Sequence, residues 1–247
     1  MNWTIEHRDS IALLTFSRLP ENFMDFGSMI ELGDLLEDLA ARPDHGKVIM
    51  LAGGTDGVFI NHADPSDLVK AGEGRATPQE AGSWARALRL LEEIPQPAIA
   101  AIDGLASGGG NEITLACTLR LGSERIRLQQ PEVGAGIIPG GGGSVRLPRL
   151  LGPGIAAEAV ITGRAFGAQE SLRVGWINAV LPTRGFNDQA LLWAAAIAEK
   201  PAPALNAAKR SIVFGSRMTF ADALALEHQL FSDLSATSKT LKTETAR

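Results

Sequence analysis

Two short runs constrain this chain more than anything else in it. KVIMLAGG (47–54) and PAIAAIDG (97–104) each carry a continuous apolar run, and each is closed by glycine. Runs of this length with no polar face read as strands buried on both sides. Such strands belong to parallel sheets with helices packed over both faces. Helical patterning lies in between. Met29, Leu32, Leu35, Leu36 and Leu39 recur at helical spacing ahead of the first run, and 78–93 places Trp84, Leu88 and Leu91 on one face ahead of the second. Alternation of strand and helix predicts an α/β core.

The remaining segments fill out that scheme. IALLTFSR (11–18) reads as a further strand, and Pro43, Asp44 and Gly46 end the first helix. The stretch TDGVFINHADPSDL and the polar region 71–78 read as loops. A helix runs from the glycines near 108 through Cys117, and LRLGSERIRLQQPE reads as two short strands around a turn. After Gly140 the character changes: 143–151, 155–162, 168–174, 187–200, 202–214 and 220–234 all read as helices. No linker interrupts the chain, and 247 residues suit one large domain, an α/β core with a helical C-terminal part.

Composition excludes several function classes. The chain is 45% hydrophobic and 21% charged, with a net charge of −5 and no basic runs, which argues against nucleic-acid binding. Cys117 is the only cysteine, so neither an internal disulfide nor a thiolate metal cluster is expected. His7, His45, His62 and His228 are scattered and form no H-E-x-x-H, so no metal site is expected. The N-terminus carries charges without an apolar h-region, and the longest apolar run, 190–198, is too short to cross a bilayer. No membrane association and a cytoplasmic location are the expectations.

The stretch SGGGNEI (107–113) carries the most chemistry. Glycines at a helix start usually admit a phosphate, but GGGN is not G-x-G-x-x-G, and Glu112 would repel an anion. GGGGSVR (140–146) lacks the lysine of a phosphate loop, and no G-x-S-x-G offers a serine nucleophile. What remains is a pair of carboxylates, Glu112 and Glu132, the latter in QQPEVGAGIIPG, each among glycines beside a strand end. Paired carboxylates can share a water, one accepting a proton and the other donating one. Each also has a plain use: Glu112 complements a helix N-terminus, and Glu132 is a solvated turn residue. His62 is either a polar group in a substrate pocket or a loop histidine bonded to nearby backbone. Asp103, in the turn IDG, reads as structural.

Read together, these pieces resemble the crotonase superfamily, the enoyl-CoA hydratase/isomerase family. PAIAAIDGLASGGGNEITLACTLRL resembles its strand, turn, glycine cluster and first glutamate. RIRLQQPEVGAGIIPGGGGSVRLPRLLG resembles the segment that supplies the second, and AAEAVITGRAFGAQESLRVGWINAVLP the stretch that follows. The resemblance covers 10 to about 235. It implies a ClpP/crotonase-like spiral of ββα turns over 1–185, with a helical oligomerisation region over 186–247. It also implies an acyl-CoA thioester substrate, no cofactor beyond the coenzyme A of that substrate, and a homotrimer or hexamer. The implied oxyanion hole consists of the backbone N–H groups of Ala63 and Gly109, holding the enolate that develops in the transition state. Glu112 would activate a water for attack on the β-carbon of a 2-enoyl-CoA, and Glu132 would protonate the α-carbon. Asn22, Asn61, His62, Asp64, Gly108 and Gly140 would line the substrate site. The implied reaction is hydration to a 3-hydroxyacyl-CoA. Double-bond isomerisation, hydrolysis of a thioester or diketone with His62 in the chemistry, and a non-catalytic acyl-CoA-binding subunit are the alternatives.

The sequence departs from the family pattern in four places. Asn61-His62 stands where a small Ala-Gly pair is usual, and Phe23 where a small residue is usual. The C-terminus TSKTLKTETAR lacks the family's closing Glu-Gly, and the chain has no tyrosine. The last point argues against relatives that bind a hydroxylated aromatic acyl group with a phenol.

Overall fold

A computed structural model describes residues 1–42 and 45–237. Pro43 and Asp44, the expected helix stop, and most of the divergent C-terminal stretch lie outside the described residues. The chain opens with an antiparallel hairpin, β1 (Trp3–Arg8) and β2 (Ile11–Phe16). β1 was not foreseen, because only Trp3 and Ile5 turn inward and its other positions are polar and exposed. Helix α1 (Phe26–Ala41) follows, capped by the Asp25 side chain on Ser28 N.

From there the backbone repeats one path. β3 (Val48–Gly53) leads into β4 (Val58–Ile60), α2 (Pro65–Gly72) and α3 (Pro78–Glu93). β5 (Ala98–Ile102) leads into β6 (Leu105–Ser107) and α4 (Gly109–Ala116). β7 (Leu119–Ser123) leads into β8 (Arg127–Gln129), a 3-10 turn (Glu132–Ala135), α5 (Gly143–Leu151) and α6 (Pro153–Thr162). β9 (Phe166–Gly167), α7 (Ala168–Arg173) and β10 (Ala179–Leu181) close the path. The first strand of each turn joins a six-stranded sheet ordered β1-β2-β3-β5-β7-β10, and the second a four-stranded sheet ordered β4-β6-β8-β9. Successive turns stack in parallel, with Leu51 opposite Ala100, Ala101 opposite Leu121, and Ala106 opposite Leu128. The result is a spiral of ββα turns.

This arrangement corrects the loop assignments. TDGVFINHADPSDL holds β4 and the start of α2. β7 and β8 are not partners across their turn, for β7 lies between β5 and β10 while β8 lies between β6 and β9. The corners between the sheets are tied by Arg125, which donates to both oxygens of Asp103 (2.8 and 2.7 Å) and to Asp56 (2.5 Å). Asp103 is structural, as expected, and the guanidinium holds its carboxyl below the usual range.

The large sheet is covered on both faces, as its apolar strands require. Ile49, Leu51, Ala98, Ala100 and Ile102 face the main core with α1 and α3. Val48, Met50, Ile99 and Ala101 face Phe186, Ala190, Ala194 and Ala198 of α8 (Phe186–Ala198). Each Leu, Ile or Phe buried this way contributes about 1.5–3 kcal/mol. α9 (Ala202–Gly215) and α10 (Phe220–Thr237) pack mainly on each other. One link to the spiral is Lys209, whose ammonium donates to the carbonyls of Leu91, Ile94 and Gln96 at 2.9, 2.7 and 3.0 Å. α10 buries no residue, and Ile212, Phe220 and Phe231 stand out into solvent. Among the described residues, no helix is long and apolar enough to cross a membrane.

Candidate active site

The glycine cluster lies where α4 packs onto the strand end before it. A methyl group on Gly110 would overlap the Ile60 carbonyl oxygen and lie 2.8 Å from that of Asn61, so only glycine lets the helix approach this closely. Gly108 has φ +49, a conformation that favours glycine, and it turns the chain from β6 into α4. A methyl on Gly109 would press on the Trp84 ring at 2.9 Å and lie 3.2 Å from Ala63 N. Gly109 and Ala63 therefore share one wall.

Both of these amides are open. Met24 pairs with Ala63 in a parallel bridge, with Met24 N donating to His62 O (2.8 Å) and Asp64 N to Met24 O (2.9 Å). The bridge uses the peptide groups on either side and leaves the Ala63 N–H free. Gly109 is the first residue of α4, where an N–H has no intrahelical acceptor. Among the described residues, neither N–H donates a hydrogen bond.

Glu112 sits in the first turn of α4 and is buried. Its Oε1 accepts from Gly143 N at 2.7 Å, so it caps α5, a helix with no side-chain cap of its own. Burial raises its pKa, opposed by the N–H groups of Gly143 and Gly141 and by the charge of Arg146. Glu132 begins the 3-10 turn and is partly exposed. A methyl on Gly108 would lie 3.0 Å from its Oε1 and 3.2 Å from His62 Cβ. Its Oε2 is buried and has no partner among the described residues. Burial, and then the neighbouring Glu112 charge, push its pKa up to about 7. Glu132 thus lies beside Gly108, at the start of the helix that carries Glu112, near enough for the Glu112 charge to act on it. The Gly108 carbonyl accepts from the backbone N of Glu112 at 2.9 Å.

The other expected residues have different places. Asn22 is fully buried at φ +56. Its amide accepts from Arg18 N (2.8 Å) and donates to Phe59 O (3.0 Å), so it holds the loop rather than offering a free group. Asp64 caps α2 through Ser66 (2.9 Å) and pairs with Arg18 (2.8 Å), which occupies both its oxygens. Asn61 donates to Glu21 O at 3.3 Å, and Gly140 is exposed, with open space where a side-chain carbon would sit. The His62 ring donates through Nδ1 to Ala63 O (2.7 Å) and stacks on Phe23 with ring centres 4.4 Å apart. The two bulky departures from the family pattern thus touch each other.

Two neighbours went unnoticed in the sequence. Gln130, in the QQPE motif, is fully buried, and in the amide orientation that satisfies both of its ends it donates to the carbonyls of Gly108 (3.1 Å) and Gln129 (3.2 Å). Arg146 donates to Gly141 O (2.7 Å) within the loop that holds Glu112. The signal for Arg146 was its place in GGGGSVR, weighed only as a failed phosphate loop.

Two stacked sheets, a spiral of ββα turns and a trailing helical region define the crotonase fold. A crystal structure of an enoyl-CoA hydratase from Bacillus anthracis superposes with a TM-score of 0.90 at 29% identity, over 100% of this chain and 95% of that one. The sequence profile of the family described as enoyl-CoA hydratase/isomerase matches residues 6–246. The chain belongs to the enoyl-CoA hydratase/isomerase family. It is 31% identical to the short-chain-enoyl-CoA hydratase of Clostridium acetobutylicum, over 96% of this chain and 90% of the relative. It is 29% identical to the crotonyl-CoA hydratase of Syntrophomonas wolfei, over 93% and 88% respectively.

Proposed function

We propose that this enzyme hydrates 2-enoyl-CoA thioesters to 3-hydroxyacyl-CoA products. The observation that carries the reading is the placement of Glu132 beside Gly108, at the start of the helix that carries Glu112 and near enough to feel its charge. One carboxylate is held by backbone N–H groups, and the other keeps an unpartnered buried oxygen. The thioester oxygen lies against the Ala63 and Gly109 N–H groups, which stabilise it most when it becomes an enolate oxyanion. Glu112, ionised, takes a proton from the shared water as its oxygen bonds to the β-carbon. Glu132, protonated, delivers its proton to the α-carbon. Near neutral pH, a carboxyl with a pKa about 7 is available in its acid form. After each turnover solvent reprotonates the partly exposed Glu132 and the proton taken by Glu112 is released, which restores the starting pair.

His62 acts as a wall in this reading. Its Nδ1 is used by Ala63 O and its face by Phe23, so it restricts the acyl group instead of entering the chemistry. The exposed apolar residues of α9 and α10 serve assembly, as a trimer or a pair of trimers. Sedimentation finding only monomer at working concentration would remove that part. The function is tested with 2-enoyl-CoAs of increasing length, following loss of the conjugated thioester absorbance. Hydration of a short member is expected. Double-bond migration without hydration would make the enzyme an isomerase.

A further inference from the structure

The loop that holds Glu112 is Gly140–Gly143, four glycines in a row. No side chain within this run restrains it, and glycine has the widest backbone freedom of any residue. A carboxylate placed by such a loop would be poorly placed unless something outside the loop clamps it. Arg146, on the first turn of α5, is that clamp. Its Nη1 donates to Gly141 O (2.7 Å), and its Nε donates to Glu92 Oε1 (2.7 Å). The fork bridges the loop to α3, and both side chains are largely shielded from water. Glu92 Oε1 receives a second guanidinium, Arg217 Nη2, at 2.8 Å. Arg217 lies between α9 and α10, so the chain of contacts runs from the C-terminal helix pair to the Glu112 cradle.

We propose that Arg146 is a positioning residue for Glu112, and that Glu92 and Arg217 extend its hold to the turn between α9 and α10. The proposal rests on the reading of Glu112 as the group that activates water. The charged neighbours of Glu112 are few. Arg146 faces it from α5 and Glu132 from the 3-10 turn, while α3 presents Leu88 and Trp84, with Glu92 one turn on and bound to Arg146. Within α4, Glu112 is the one charged residue. Removing Arg146 deprives Glu112 of a cation and loosens two N–H donors, and each of these favours its ionised form. Its pKa then rises.

The test is steady-state hydration of a short 2-enoyl-CoA by the full chain from about pH 5 to 9, with Arg146→Gln, Arg146→Lys, Arg217→Gln and Glu112→Gln. Arg146→Gln should lower kcat by about 10- to 100-fold with little change in KM, less than the roughly 10²- to 10⁴-fold lost with the acid–base group itself. The acid limb of its kcat/KM profile should move to higher pH. Arg146→Lys should restore most of the limb, because the charge returns, but less of kcat, because an ammonium lacks the planar fork. Arg217→Gln, at the outer end of the contacts, should lower kcat by only a few-fold, with the limb displaced in the same direction. A wild-type pH limb in Arg146→Gln and Arg217→Gln, with activity falling only as folded protein is lost, overturns the proposal. Should Arg146→Gln not fold, the limb in Arg217→Gln decides. Normal hydration by Glu112→Gln would sink the water-activating role itself, a result separable from the other three variants.

Discussion

The two carboxylates of the site are the same chemical group in opposite settings. Glu112 stands on a helix, buried, with Gly143 N–H on one oxygen and a glycine loop folded over it. Glu132 stands on a short 3-10 turn, partly exposed, with one oxygen unpartnered. Burial raises both pKa values, but only Glu112 has N–H donors from another element and a nearby guanidinium to favour its charged form. Under the proposed hydration, the contrast assigns the base to Glu112 and the acid to Glu132. A carboxylate supported by donors suits proton removal, and one lacking them suits proton delivery near neutrality.

Exchanging either carboxylate for its amide probes that division most strongly. Glu132→Gln should abolish hydration and any isomerisation together, because the α-carbon loses its proton source. Glu112→Gln should lower hydration by about 10²- to 10⁴-fold while leaving part of any isomerisation. Assays of both reactions on both variants check the assignment, and equal losses in all four would erase the difference in role.

A smaller effect should appear in stability. Folded Glu132 holds its proton up to about pH 7, whereas its ordinary value is 4.5. Between those values the folded state binds more protons than the unfolded one, so its contribution is fully present below the lower value and is lost as pH rises through the upper. Glu132→Gln removes a carboxylate that is costly to ionise here. The variant should therefore be more stable than the parent at about pH 8, by on the order of 1 kcal/mol once solvent screening is allowed for. Thermal melts across this range should show the gap closing towards about pH 5. A constant gap would mean that Glu132 does not titrate as described.

The smallest effect concerns the wall on the Glu132 side of Gly108. His62→Gly removes the ring that stacks on Phe23. Activity on a long 2-enoyl-CoA should rise about tenfold, the lower end of what one methylene is worth in an apolar pocket. The short substrate should change little. Loss of activity on both would place His62 in the chemistry and favour the hydrolase alternative.

The same contrast shows how much was legible beforehand. The helices at 78–93 and 143–151 fall where the spacing predicts them, because a period of 3.6 is a local property. The apolar runs of β3 and β5 announced burial on two faces, and the glycine cluster and Q-P-E motif drew attention to Glu112 and Glu132. Strands β4, β6, β9 and β10 span two or three residues each, too few to show a period. β7 and β8 looked like a hairpin because the turn between them is local, but each gains more from neighbours brought alongside by the spiral. Residue order alone marks the strands and helices wherever burial repeats often enough to leave a pattern. It also supplied the two carboxylates. Only the tertiary structure decided which sheet each strand enters and that Gly143, thirty-one residues away, binds Glu112. Only it joined Arg146 to Glu92 and Arg217. Those choices are made by long-range packing and by the need of buried polar groups for partners, and neither leaves a mark in the spacing of nearby residues.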